Sequence, residues 1–274
     1  MGNALEFSSV VLSIIRRVRE MLLPQYGKVE FQAKKSDRAH DTVTQADISV
    51  EEYYKKELAA CYPDIAFVGE ETGGNRAAKR FWLVDPIDGT SHFIRGMPFC
   101  TSQLACIENG RVVFAAIYDF VNDIMYHAER RRGAFANGEP IRVSARSFQG
   151  SYLAWETHLD KQENMSRFLR LREHCLLFKA GCSGFEFAMV ASGKLDGRLC
   201  FDPHGKDYDF APGSLLVAEA GGIVANIGLP AHVLPRKNSS GLRDYDYRNL
   251  NFIAANPLVF KELTEGPDAV FPTK

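Results

Sequence analysis

Phe81-Trp82-Leu83-Val84-Asp85-Pro86-Ile87-Asp88-Gly89-Thr90 is the stretch on which the reading of this chain turns. Four apolar residues in succession describe a buried strand, and it runs straight into two acids. Pro86 fixes one φ angle between them, and Gly89 lets the backbone turn sharply afterwards. Two carboxylates, a backbone carbonyl and a hydroxyl at one strand end are the donors that a hard cation such as Mg2+ takes. The same residues also describe a Pro/Gly turn capped by aspartates. The segment alone does not choose between the two.

Upstream, Phe7, Val10, Val11, Ile14, Ile15, Val18, Met21 and Leu22 recur at helical spacing until Pro24. A second helix is predicted over 46–61, with Thr44 as its N-cap and Asp47 three residues on, close to a capping box. Residues 65–68 read as a strand that ends at Gly69-Glu70-Glu71. Downstream, strands at 102–107 and 111–118 flank Glu108-Asn109-Gly110, a hairpin signal. Strands at 124–128, 133–136 and 141–143 continue an antiparallel meander through the Asn137-Gly138 turn.

The second half alternates instead. Strands are predicted at 152–155, 175–179, 197–201, 223–225 and 251–254, with helices at 161–172, 185–192 and 208–220. Asp207 is the expected N-cap of the third helix and Gly221-Gly222 its end, while Asn256-Pro257 opens a last one. Two lobes follow from this pattern. Residues 1–148 form a mostly antiparallel sheet lobe with the candidate metal-binding motifs, and 149–274 form an α/β lobe that completes the metal and substrate site.

The 274 residues suffice for such a core, and 46% hydrophobic with 24% charged residues is ordinary for a globular chain. A formal net charge of -1 provides no field toward nucleic acid or an anionic membrane. The six cysteines never form a C-x-x-C pair, so a thiolate zinc site is not expected. Glu6 before the first apolar run and Arg16-Arg17 after it do not suit a secretory signal. No stretch approaches the roughly 18 uncharged apolar residues of a membrane helix. A cytoplasmic protein without membrane or direct nucleic-acid contact is the expectation.

Strand ends and helix starts are where layered α/β folds carry chemistry. Four such places hold acids: Asp47, Glu70, the pair Asp85 and Asp88, and Asp209. Singly, each also reads as a helix-dipole acid or a solvated loop residue. Together they form the inventory of metal-assisted phosphoryl transfer, in which two Mg2+ ions about 4 Å apart clamp the attacking and leaving oxygens. The Ile87 carbonyl adds a hard ligand, and Thr90 can orient a water. Backbone N–H groups around Gly89 and Thr90 can hold phosphate oxygens.

The motifs Gly69-Glu70-Glu71, Trp82 to Phe93, and Tyr208-Asp209-Phe210-Ala211-Pro212-Gly213 with Glu219-Ala220-Gly221-Gly222 resemble the inositol monophosphatase family. Asp41-Thr42-Val43-Thr44-Gln45-Ala46-Asp47, with Lys34 or Lys35 before it, is similar to that family's first motif. Gly133 to Gly138 with residues 141–144 fits its central sheet, so the resemblance covers about residues 5 to 260. It implies a layered αβαβα sandwich and a phosphomonoesterase that uses two or three Mg2+ ions. Glu70, Asp85 and the Ile87 carbonyl would hold the first ion, and Asp85, Asp88 and Asp209 the second. Asp47 and Thr90 would activate the water, with Glu70 also touching it. Gly89, Thr90, Ser91, Ser183, Asp202 and Asp209 would bind substrate. Lithium sensitivity, a homodimer and a small phosphorylated substrate are further expectations, with myo-inositol monophosphate the leading candidate. Fructose 1,6-bisphosphate, histidinol phosphate and adenosine 3',5'-bisphosphate, or a regulatory binding role, are the alternatives.

Departures from the family pattern fall in three places. Tyr208 replaces a tryptophan, and Ala211-Pro212-Gly213 places a proline expected in the first helical turn. The run 197–207 is about two residues longer than usual, so the family's sugar-binding glutamate falls on Cys200 or on Asp202, depending on the side of alignment. Gly181-Cys182-Ser183-Gly184 is altered, and Ser183 either supplies a hydroxyl or caps the following helix. His204 and Lys206 either meet a second anionic group or are exposed loop residues.

Overall fold

Side chains alternate across the strand Arg80–Asp88 and so divide the interior into two cores. The computed structural model describes residues 2–29, 33–34, 42–227, 246–265 and 269. Trp82 and Val84 face a core shared with Val11 and Ile15 of the helix Gly2–Arg16 and with Val50 and Tyr54 of the helix Gln45–Cys61. Phe81 and Leu83 face the other way, onto Phe187 of the helix Ser183–Ala191 and Phe210 and Leu215 of the helix Asp207–Glu219. Helices therefore cover both faces of the first sheet.

That sheet has eight strands in the order Glu139–Pro140, Gly133–Ala136, Ile124–Glu129, Arg111–Asp119, Thr101–Glu108, Arg80–Asp88, Ala66–Gly69, Gly73–Gly74. Among the described residues, only its pairing of Arg80–Asp88 with Ala66–Gly69 is parallel. The second sheet runs Leu176–Phe178, Tyr152–Glu156, Gly197–Cys200, Phe252–Ala255, Ile223–Asn226. Its first three strands are parallel and the last two pairings antiparallel. Ala154, Cys200, Phe252 and Ala254 point to the helices between the sheets. Leu153, Trp155, Leu199 and Ile253 point outward, where Leu171, Val259 and Leu263 of the helices Gln162–Arg172 and Pro257–Glu265 cover them. The result is the expected αβαβα layering, with a separate two-stranded pairing of Ala33–Lys34 and Thr42–Val43.

Several elements differ from expectation. The strand expected at 141–143 is absent; Glu139–Pro140 pairs instead, and Val143 N–H donates to the Ala220 carbonyl of another layer. A six-residue helix Thr90–Arg95 follows the acid segment directly. Lys206, not Asp207, precedes the helix Asp207–Glu219; Asp207 lies within it and pairs with Arg76. Pro212 is the sixth helical residue rather than part of the first turn, so the Tyr208 carbonyl loses its intrahelical donor. Asp41 and Lys35 lie outside the described residues, as does the side chain of Lys34. The six cysteines are free thiols. Among the described residues, no helix is long and apolar enough to cross a membrane.

Candidate metal and phosphate site

The end of the strand Arg80–Asp88 meets the starts of four helices: Gln45–Cys61, Thr90–Arg95, Ser183–Ala191 and Asp207–Glu219. Residues three apart in a regular strand point to opposite faces. Between Asp85 and Asp88 the register against Thr101–Glu108 shifts, and the irregularity at Pro86-Ile87 brings both carboxylates to one place. Gln103 Nε2 lies 3.3 Å from Asp85 Oδ2 and 3.2 Å from Asp88 Oδ2 as donor to both. Asp209, from the first turn of its helix, joins them, and the three offer carboxylate oxygens within 4.8 Å of one another.

The environment of these oxygens is unequal. Gly184 N–H donates to Asp88 Oδ2 at 2.5 Å, and Cys182 Sγ lies 3.3 Å from the same oxygen. Lys206 N–H donates to Asp209 Oδ2. Asp85 Oδ1 is buried and, among the described residues, has no hydrogen-bond partner. An orphaned carboxylate oxygen inside a cluster of acids fits a divalent cation and is otherwise costly. Burial, then the charges of Glu70, Asp88 and Asp209, holds the Asp85 carboxyl well above the usual range. Burial, then Asp88 and Glu70, does the same to Asp209. Burial raises Asp88 to about 7, against lowering by Gly184, Cys182, Ser183 and Arg198.

Gly89 carries the turn out of the strand with φ +84°, and a Cβ there would meet the Phe99 carbonyl oxygen at 2.4 Å. The turn delivers Thr90, whose hydroxyl lies 3.1 Å from Asp47 Oδ1 and 2.9 Å from the Ile87 carbonyl. Having one proton, it donates to one of these at a time. Asp47 Oδ2 accepts both Thr44 N–H at 2.7 Å and the Thr44 hydroxyl at 2.6 Å, so the expected capping box forms. Burial raises the Asp47 carboxyl to about 6 despite the Thr44 bonds, with the nearby Glu70 charge acting in the same direction.

The acids at the strand end and the Gly89–Thr90 turn border one cavity of about 430 Å³. Glu70, Asp85, Ile87, Asp88 and Asp209 line it, as do Gly89, Thr90, Ser91 and Ser183. Asp47 stands behind Thr90 and does not line it. Ser183 is the first residue of its helix and not a cap; its hydroxyl accepts from Arg198 at 2.9 Å. His204, half-buried, and Lys206, exposed, both border the cavity.

Asp202 is not brought to the cavity. At φ +50° the chain turns there, and the carboxylate is taken by Lys161 and by Asn164 Nδ2 at 3.1 Å. Cys200 is fully buried between the sheets. Neither alignment of the long loop thus supplies an acid to this wall. Glu156, paired in register with Cys200 on the neighbouring strand, lines it instead, together with Arg198 and Glu186. Sequence reasoning missed all three. The available signal was a charge inside an apolar run: Gly197-Arg198-Leu199-Cys200 and Phe185-Glu186-Phe187.

The model of the inositol monophosphatase family matches residues 4–266. The Nus factor SuhB of Pseudomonas aeruginosa is 32% identical over 231 residues, 80% of this chain and 84% of that protein. A fructose-1,6-bisphosphatase/inositol-1-monophosphatase of Thermotoga maritima is 29% identical over 273 residues, 96% of this chain and 95% of its own. Among solved structures, the extragenic suppressor protein suhB of Bartonella henselae superposes with TM-score 0.81 at 28% identity, covering 94% of this chain and 96% of that one.

Proposed function

The chain belongs to the inositol monophosphatase family, and from that premise we propose that it is a Mg2+-dependent phosphatase of small phosphate monoesters. The best single substrate is myo-inositol monophosphate. One observation carries the metal reading: Asp85, Asp88 and Asp209 offer oxygens within 4.8 Å of one another, and Asp85 Oδ1 has no hydrogen-bond partner among the described residues. The donor set is all oxygen, which suits Mg2+ better than a soft metal.

In this reading Glu70, Asp85 and the Ile87 carbonyl would hold one ion. Asp85, Asp88 and Asp209 would hold a second. When bound, Mg2+ supplies Lewis acidity that offsets charge on the phosphate oxygens and acidifies water. The backbone N–H groups of Gly89 and Thr90 bind phosphate oxygens at the start of the short helix. Thr90 accepts a hydrogen bond from the attacking water while its own proton is held toward Asp47 Oδ1. Asp47, raised to about 6, is poised to take up that proton near neutral pH. The water oxygen forms the new bond to phosphorus as the bond to the alcohol oxygen breaks, and the departing alkoxide takes a proton from solvent. No Cys or Ser nucleophile is needed: Cys182 is buried, and burial holds its thiol well above its ordinary range.

A panel of phosphate esters tests the substrate assignment. Inositol monophosphate should be hydrolysed faster than a simple alkyl phosphate, and equal rates would refute inositol as the substrate. A second reading, a binding protein on the same scaffold, is favoured by the name of the Pseudomonas relative. It predicts no phosphate release from any ester in the panel and a protein partner captured by the folded chain.

A further inference from the structure

Asp88 and Asp209 reach, through different neighbours, one buried cation that the reaction above does not use. Arg198 is 1% exposed, and its guanidinium carbon lies 4.8 Å from the Phe187 ring and 5.2 Å from the Phe210 ring. Nε donates to Glu186 Oε2 at 2.9 Å, and Nη2 donates to Glu156 Oε2 at 2.6 Å and to Ser183 Oγ at 2.9 Å.

Each of the two carboxylates has its other oxygen engaged as well. Glu186 Oε1 accepts Ala180 N–H at 2.7 Å and Gly181 N–H at 3.2 Å. Those amides begin the turn that ends in Gly184, whose N–H donates to Asp88 Oδ2. Glu156 Oε1 accepts Gly205 N–H at 3.0 Å, and the next amide, Lys206 N–H, donates to Asp209 Oδ2. One guanidinium thus anchors both backbone donors.

Stability does not account for such a cluster. Buried ion triads are often replaced by apolar residues of similar volume without loss, because desolvation offsets the attraction. What apolar residues could not do is fix the two carboxylates that hold the 180–184 turn and the 205–206 step.

We propose that Arg198 is a positioning residue for the cation site: through Glu186 and Glu156 it sets the N–H donors on Asp88 and Asp209, and so the ion those carboxylates hold. This rests on the reading of Asp88 and Asp209 as metal ligands. Calorimetric titration of Mg2+ into the full chain tests it, using wild type, Arg198→Lys and the charge-free triple variant Glu156→Gln/Arg198→Met/Glu186→Gln. The triple variant should keep the metal-free melting temperature of wild type while its Mg2+ dissociation constant rises about 10–100-fold, the usual cost of losing support behind a metal ligand. Arg198→Lys keeps the charge but loses the fork, so its affinity should fall by about tenfold even if the triple variant does not fold. An affinity within about twofold of wild type in either folded variant would overturn the proposal. Wild-type protein that binds no Mg2+ would overturn the metal reading itself, a separate and recognisable failure.

Discussion

Gly69 rests directly on the carboxylate of Glu51: a Cβ at residue 69 would lie 2.2 Å from Glu51 Cδ and 2.3 and 2.4 Å from its two oxygens. The same carboxylate, 1% exposed, accepts Glu71 N–H and Thr72 N–H, each at 2.8 Å, and the Thr72 hydroxyl at 2.6 Å. Glu51 lies one helical turn beyond Asp47, so one helix supplies the partner of Thr90 and the clamp on the turn that carries Glu70. Gly69→Ala should therefore push Glu51 off the 70–72 turn. The expected effects are a loss of about 1–3 kcal/mol in urea unfolding, the usual cost of overpacking, and a marked fall in phosphate release. Full activity at lowered stability would show that Glu70 does not depend on this clamp.

The pair Asp47 and Thr90 sets a second expectation. Asp47→Asn should lower kcat by about 10²–10⁴-fold, the range for a lost proton acceptor, while Mg2+ affinity from calorimetry stays unchanged. In wild type at saturating Mg2+, kcat should rise with pH as Asp47 becomes ionised, at or below the value of about 6 that it has without metal. The variant should lack that limb. A wild-type profile flat from about pH 4 to 8 would exclude Asp47 as the acceptor.

The acid cluster also links ion binding to stability. Asp88 is raised from 3.8 to about 7 in the fold, and Asp85 and Asp209 shift in the same direction. The folded chain without metal then holds more protons than the unfolded chain between about pH 4 and 7. Its stability falls as pH rises through that window. Cations that replace those protons reverse the trend. The rise in melting temperature on adding Mg2+ should be larger near pH 8 than near pH 5, measured by thermal scans in Mg2+ and in EDTA. Equal increments at both ends would contradict the site.

Much of this candidate site is legible in the sequence alone. The capping box at Thr44 and Asp47, the strand into Asp85 and the helix start at Asp209 follow from local rules, because caps and apolar runs act over a few residues. The meeting of Asp85 with Asp88 was not local. It needs the register shift against Thr101–Glu108, which depends on a partner strand. The short helix Thr90–Arg95 escaped notice because six residues leave no periodic pattern. Glu156, Glu186 and Arg198 were invisible for a deeper reason. A buried charge is intelligible only once its partners are known, and these lie 12 and 42 residues from Arg198 along the chain. Asp202 misled because an acid in a loop says nothing about which way the loop turns, and here Lys161 draws it away.

Release of inorganic phosphate from myo-inositol monophosphate by wild type and by Asp85→Asn, each in Mg2+ and in EDTA, bears most directly on the central claim. The account predicts turnover by wild type in Mg2+, none in EDTA, and a loss of at least about 10³-fold in the variant, since several kcal/mol of charge stabilisation would go with the shared ligand. Wild-type turnover that persists in EDTA, or an Asp85→Asn protein as active as wild type, would contradict it.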